Sequence, residues 1–237
     1  MIRIEHPPQS FLEAADALGI RFDDGDVERL GEWLALLEAA NKRMNLTRIT
    51  DHESAWHRQV LDSLTLVPYV MTAQAENLLD IGSGGGAPGL PLAIILPELK
   101  VGLLEATGKK ATYLKKTART LGLDNVMVIN DRAEAASALD SPDREAWDVV
   151  TARAVGRLPL LLEYTVPFTR VGGIVLAIKG EQAGAEVEES KRALHALHSQ
   201  VVEQHRTSTG TIVLIEKLRK TARAYPRPVG DASRNPL

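Results

Sequence analysis

Cysteine is absent from the 237 residues. That excludes disulfides, thiolate-bound zinc, iron–sulfur clusters and every cysteine nucleophile, and nothing points to an oxidising compartment. Aromatic residues make up only 4% of the chain, so its core must be aliphatic. Long apolar runs are missing too. The longest uncharged stretch, Ile81 to Pro97, carries five glycines and three prolines, which no bilayer-spanning helix would tolerate. The opening Met1-Ile2-Arg3-Ile4-Glu5-His6-Pro7-Pro8 has no apolar segment of the secretory kind. A soluble, cytoplasmic protein is expected, with no membrane and no metal. Its apolar fraction of 44% and charged fraction of 25% also exclude wholesale disorder.

What is present suits one α/β domain with a helical extension. Residues 1–70 read as that extension. Leu30, Trp33, Leu34, Leu36 and Leu37 recur at helical spacing, with Asp24 or Asp26 as the expected cap, and Trp56 to Val67 repeat the pattern. The polar run from Asn41 to Thr47 reads as a helix end and a loop. From 71 to 237 short β-rich runs alternate with helical ones. Strands are expected at Asn77–Ile81, Lys100–Glu105, Val126–Asn130, Trp147–Ala152, Gly173–Lys179 and Thr211–Lys217. Helices are expected at Gly89–Leu96, Lys109–Leu121, Leu158–Phe168 and Glu186–His198. Such alternation predicts a parallel sheet covered on both faces, with the closing strand antiparallel at an edge.

The formal charge of −3 is unevenly spread. Lys217 to Arg234 carry a net +5, leaving −8 on the rest. Such a tail is either a solvated terminus or an arm for phosphates.

The densest local signal is Leu78-Leu79-Asp80-Ile81-Gly82-Ser83-Gly84-Gly85-Gly86-Ala87-Pro88-Gly89, an apolar strand running through a glycine loop into a helix. Bare backbone lets a ligand lie close, at the edge where open α/β sheets bind nucleotides. The loop contains a literal G-x-G-x-x-G, which alone is weak evidence for a dinucleotide. Asp80 argues for a different ligand. A carboxylate two residues before the first glycine suits a cationic amino-acid tail, directly or through water, and repels a pyrophosphate. S-adenosylmethionine is therefore favoured over a nicotinamide, with Asp80 and the loop glycines, Gly82 and Gly84 among them, as candidate contacts. Glu105, after the second strand, stands where an acid reads a ribose diol, with Ala106 and Thr107 beside it. Ala133 and Glu134, after the third strand, stand where adenine lies.

The fourth strand ends in Arg153, where amine-methylating enzymes of this architecture carry an Asn/Asp-Pro-Pro-aromatic motif. Arginine is donor-only and its fork suits guanine O6 and N7. Guanine N7 is a nucleophile that loses no proton, so alignment matters more than a base. Arg153 is thus the expected catalytic residue, the bland alternative being a structural ion pair with an acid such as Glu105 or Glu134. Lys179 and His205-Arg206 are further donors, and Lys109, Lys110, Lys115 and Lys116 are candidate phosphate contacts.

In order along the chain, Asn45-Leu46-Thr47, Asp62-Ser63-Leu64, Asp80-Ile81-Gly82-Ser83-Gly84, Pro88-Gly89, Arg132-Ala133-Glu134, Arg153-Ala154, Lys179-Gly180, His205-Arg206-Thr207, Tyr225-Pro226-Arg227 and Pro236-Leu237 resemble the GidB family of small-subunit ribosomal RNA guanine-N7 methyltransferases. The resemblance spans Asn41 to the C-terminus. It implies a Rossmann-like class I S-adenosylmethionine-dependent methyltransferase sheet with an N-terminal helical extension, acting on N7 of one guanine in 16S ribosomal RNA or the small subunit. It implies cofactor contacts at Gly82, Ala87, Glu105 to Thr107, Ala133, Glu134 and Arg153. It also shifts the tail, through Arg223 and Arg227, towards RNA contact alongside Lys179 and Arg206. A monomer is expected. One departure is Gln59, where the family often has histidine three residues before the Asp-Ser aspartate. The rivals are a nicotinamide oxidoreductase using the literal glycine motif and an RNA-binding assembly factor without turnover.

Overall fold

The computed structural model describes residues 6–237, so Met1–Glu5 of the opening run lie outside the described residues. Seven strands form one sheet in the order β3-β2-β1-β4-β5-β7-β6. They are β1 Asn77–Ile81, β2 Lys100–Leu104, β3 Val126–Ile129, β4 Trp147–Arg153, β5 Thr169–Lys179, β6 Ser199–Arg206 and β7 Thr211–Lys217. The first five run parallel, and β7 is antiparallel to both neighbours. The carboxyl ends of β1, β2, β3 and β4 therefore share one edge, which positions the loops that follow them.

Two expectations fail here. The closing strand β7 is antiparallel but is not the edge; β6 lies outside it. From Gln200 onward β6 buries no residue, so it lacks the alternation by which a half-buried strand is recognised. A register shift between Val201 and Glu203 and its charged side chains suit an exposed edge. The expected helix over Glu186–His198 is instead two. Ser190 interrupts it, its Oγ donating to the Glu186 carbonyl at 2.6 Å.

The extension comprises α1 Gln9–Ala17, α2 Asp26–Met44, α3 His52–Ala55, a π-helical segment Trp56–Leu61, α4 Asp62–Leu64 and α5 Val67–Thr72. Neither Asp24 nor Asp26 caps α2. Gly25 holds that position with φ +88°, while Asp26 turns back to accept from the Asp23 amide at 2.9 Å.

Because side chains alternate along a strand, each strand feeds two cores. Leu78, Val101, Leu103 and Val149 enter one, shared with the extension and with α6 Gly89–Ile95 and α7 Gly108–Thr120. Leu79, Leu104, Val150 and Val175 enter the other, beneath α8 Ala133–Ala136, α9 Leu158–Thr165, α10 Ala183–Glu189 and α11 Lys191–Ala196. Beyond β7 the chain returns through α12 Asp231–Arg234, which packs on α9. No helix among the described residues is long and apolar enough to cross a membrane.

Lys217, counted with the basic tail, is internal. Its ammonium meets Glu145 at 2.8 Å and donates to the Val166 and Thr169 carbonyls at 3.1 and 2.7 Å, with none of its side chain exposed. Lys217→Met would leave the Thr169 carbonyl without a donor and the Glu145 carboxylate without its cation, while the Thr221 amide still reaches Glu145 and the Thr169 amide the Val166 carbonyl. Such a loss costs roughly 3 kcal/mol, a fall of roughly 6–12 °C in melting temperature for a chain of this size. A thermal melt of the variant checks this, and an unchanged midpoint would show the ammonium to be dispensable.

Candidate active site

Three strand ends build the site. At the first, β1 runs into the glycine loop, where Gly82 has φ +70° and a Cβ would press Val155 Cγ2 at 3.0 Å. Gly85 has another constraint. A Cβ there would lie 2.8 Å from Leu37 Cδ1, because α2 packs against the outside of the loop. The Gly85 carbonyl accepts from Trp33 Nε1 at 3.2 Å and from the Tyr113 hydroxyl at 3.5 Å. At the second strand end, Glu105 is buried and spans two segments. One oxygen accepts from the Gly84 amide at 3.0 Å, the other from the Thr107 amide at 2.7 Å. At the third, Asp131 to Glu134 close the pocket.

A cavity of about 120 Å³ between them is lined by Gly82, Ala106, Ala133 and Glu134, all expected, together with Ile81, Leu104, Asp131, Arg132, Val155 and Tyr164. Tyr164 lies on α9, remote in sequence, with no local signal that marks it. Ala87 is buried at the foot of α6, and Gly84 and Thr107 join the site through Glu105. Among the described residues no three His, Asp or Glu side chains converge as metal ligands.

Asp80 lies under the loop, 1% exposed, facing the first turn of α6. Its Oδ2 accepts from the Gly89 amide at 3.3 Å, and its Oδ1 is buried without a partner. Burial pushes this carboxyl up to about 7, against the opposing pull of Ser83, Gly89 and Arg153. An orphaned buried carboxyl oxygen beneath a bare glycine loop fits a cationic ligand.

Arg153 pairs with neither Glu105 nor Glu134. Its Nη1 donates to the Arg58 carbonyl at 2.6 Å and lies 3.4 Å from Asp62, while Nη2 donates to Gln59 Oε1. The structural ion pair with an acid is present, but its acid is Asp62, because the π-helical segment and the residue after it, remote in sequence, bring Gln59 and Asp62 to the end of β4. Ala154, the next residue, sits at φ +58°, a strained conformation for an L-residue and one that recurs at functional sites. His57 points away, its Nε2 3.0 Å from Ser10 Oγ on α1.

Two expected RNA contacts are occupied internally. The Lys179 ammonium is 2.7 Å from Glu186 and donates to the Gly156 carbonyl at 2.6 Å. Arg227 makes a two-pronged pair with Glu163 at 2.7 and 2.6 Å, in which Glu163 also accepts from the Leu237 amide. Neither presents a free charge to a phosphate. A strand-end position, as for Lys179, and a basic tail, as for Arg227, do not show a buried acid remote in sequence. Glu134 accepts from the Gly230 amide at 2.9 Å, so the tail closes over the third strand end. Arg206 and Arg223 are exposed and have no carboxylate partner among the described residues.

The sequence profile of GidB, rRNA small subunit methyltransferase G, matches residues 26–214. The chain belongs to the GidB family. It is 47% identical over 222 residues to ribosomal RNA small subunit methyltransferase G of Sorangium cellulosum, covering 93% of this chain and 92% of that protein. It is 43% identical over 231 residues to its namesake in Roseiflexus sp., covering 95% and 98%. Among solved structures, an O-methyltransferase from Bacillus cereus in complex with SAH superposes with a TM-score of 0.60 at 18% identity, over 90% of this chain and 99% of that one. Cofactor-bound Rv0187 superposes at 0.59 and 19% identity, over 91% and 98%. These two establish the class I methyltransferase fold. This GidB member is an S-adenosylmethionine-dependent rRNA methyltransferase, which displaces the nicotinamide reading of the glycine motif.

Asp80 also makes stability depend on pH. Its folded-state value lies above its ordinary 3.8, so between about pH 4 and 7 the folded chain holds a proton that the unfolded chain has released. Stability attributable to this group therefore falls as pH rises through that window, by a few kcal/mol in all. Asp80→Asn removes the effect. Urea unfolding at pH 5 and pH 7.5 should show the variant gaining on the wild type at the higher pH. Parallel pH dependence in the two proteins would count against a protonated Asp80.

Proposed function

We propose that this protein transfers a methyl group from S-adenosylmethionine to N7 of a guanine in 16S ribosomal RNA, with Arg153 nearest the transfer. The observation that carries the reading is Arg153 itself, a donor-only guanidinium at the end of β4, at the edge where the glycine loop and Glu105 converge. Bound S-adenosylmethionine supplies an electrophilic methyl on a positive sulfur. Guanine N7 attacks with a lone pair that carries no proton, so the chain needs to orient the base and has no proton to remove. Arg153 suits that task through Nε–H and one Nη2 hydrogen, a fork that matches acceptors on the guanine edge. Arg58, Gln59 and Asp62 take up Nη1 and the other hydrogen of Nη2.

The remaining residues hold the cofactor. Glu105 takes the ribose diol, aligned by its bonds to Gly84 and Thr107, with Ala106 alongside. Gly82 to Ala87 face the methionine portion, with the Asp80 carboxyl beneath. Ala133 and Glu134 flank the adenosine, Glu134 being held by Gly230. For RNA, the exposed cations are Arg206 and Arg223, together with Lys109, Lys115 and Lys116 on α7. That helix holds no acidic residue and starts at the mouth of the site.

Two measurements test the assignment. Glu105→Gln should weaken S-adenosylmethionine binding by roughly 10- to 100-fold, the loss of one charge-assisted hydrogen-bond pair, with the fold retained. Calorimetric titration reads it, and an unchanged dissociation constant removes Glu105 from the site. For RNA, alanine at Lys115, Lys116 and Arg223 together should flatten the plot of log affinity against log salt, by about 0.7 to 0.9 for each phosphate that is no longer neutralised. Cofactor affinity should stay the same. Identical slopes would show these cations to be merely solvated.

A further inference from the structure

We propose that Gln59 is a positioning residue for methyl transfer, fixing the plane of the Arg153 guanidinium and tying it to the Asn45–Ile49 loop. The inference rests on the placement of Arg153 beside the transfer. The Gln59 side chain is 4% exposed, and both ends of its amide are used. Its Oε1 accepts from Arg153 Nη2, and its Nε2 donates to Thr47 Oγ1 at 2.7 Å. Arginine has no acceptor, so the amide oxygen must face it and the amide nitrogen must face the threonine. Thr47 is itself fixed. Its hydroxyl accepts from the Ile49 amide at 3.1 Å, and Asn41 brackets its backbone with two bonds of 2.9 Å.

Asp62 shares the task from the other side, with one oxygen 3.4 Å from Arg153 and the other accepting from Thr209 Oγ1 at the tip of the β6–β7 hairpin. The π-helical turn between them allows both Gln59 and Asp62 to reach one guanidinium. Asp62 and the Arg58 carbonyl both meet Nη1, which leaves the orientation of Nη2 to Gln59. The neutral amide acts as an acceptor, holding orientation while adding no charge.

The neutrality of Gln59 makes the proposal testable. A histidine in its place offers the same acceptor and donor only while it is uncharged. Once protonated it has two donors, and Arg153 and Arg58 repel it. Asp62 on the following turn favours the charged form, as do Glu38 and Asp51 across the adjoining cavity of about 330 Å³, with His52 beside them. Gln59→His should therefore give near-normal kcat at pH 8 and a falling limb below about pH 6.5, absent in the wild type.

Gln59→Leu should lower kcat by about tenfold or more at every pH, with the S-adenosylmethionine dissociation constant unchanged. In an Arg153→Ala background, Gln59→Leu should have no further effect on kcat. The assays use the full chain, small-subunit RNA and radiolabelled methyl, with cofactor binding measured separately. Should the leucine variant fail to fold, the histidine profile carries the test. A histidine variant with the wild-type profile, or a folded leucine variant with wild-type kcat, overturns the proposal. If Arg153→Ala alone retains wild-type kcat, the placement of Arg153 at the transfer is what fails, and the role of Gln59 falls with it.

Discussion

The constraint on which the site depends is the approach of α2 to the glycine loop. A Cβ at Gly85 would lie 2.8 Å from Leu37 Cδ1, and Trp33 and Tyr113 converge from two helices on the Gly85 carbonyl. Glycine loops are free to vary in φ and ψ, and that freedom costs ligand affinity unless something removes it. Here the loop is held from outside by α2 and α7 and from inside by Glu105, which grips the Gly84 amide. The helical extension thus shapes the cofactor loop as well as covering one face of the sheet.

A second theme is the handling of positive charge. Lys179, Lys217 and Arg227 look in sequence like a reservoir for polyanions, yet each is paired with its own acid, Glu186, Glu145 and Glu163. These pairs fix the hairpin and the returning tail against the body of the fold. Exposed cations, among them Lys109, Lys115 and Lys116 on α7 and Arg206, Arg219, Lys220 and Arg223, are ones that long-range attraction can use.

Most of the parallel sheet is legible in the sequence, because β1, β2, β4 and β5 are buried and aliphatic and each is bounded by turn residues. The glycine loop and Glu105 are legible for the same reason, since their spacing is local. What escapes is of two kinds. Strand β6 buries only Ser199, leaves both its valines unburied and pairs with β7 alone in the sheet, so its own residues carry no period. The partners of Arg153 escape because Gln59 and Asp62 lie 94 and 91 residues away, brought there by packing of the extension. Local pattern reports elements and loops; contacts of high sequence separation are decided by the tertiary core.

That core has a consequence for synthesis. The extension precedes the sheet in the chain, yet the apolar face it covers draws on β1, β2, β4, β5 and β7, the last of which ends at Lys217. Trp33, Trp56 and Phe11 therefore have no complete sheet to bury against until β7 has been made. Contacts of such long range form late and leave a sticky amphipathic bundle exposed in the meantime. Folding of the extension is thereby coupled to completion of the sheet, so the two halves of the chain gain their stability together.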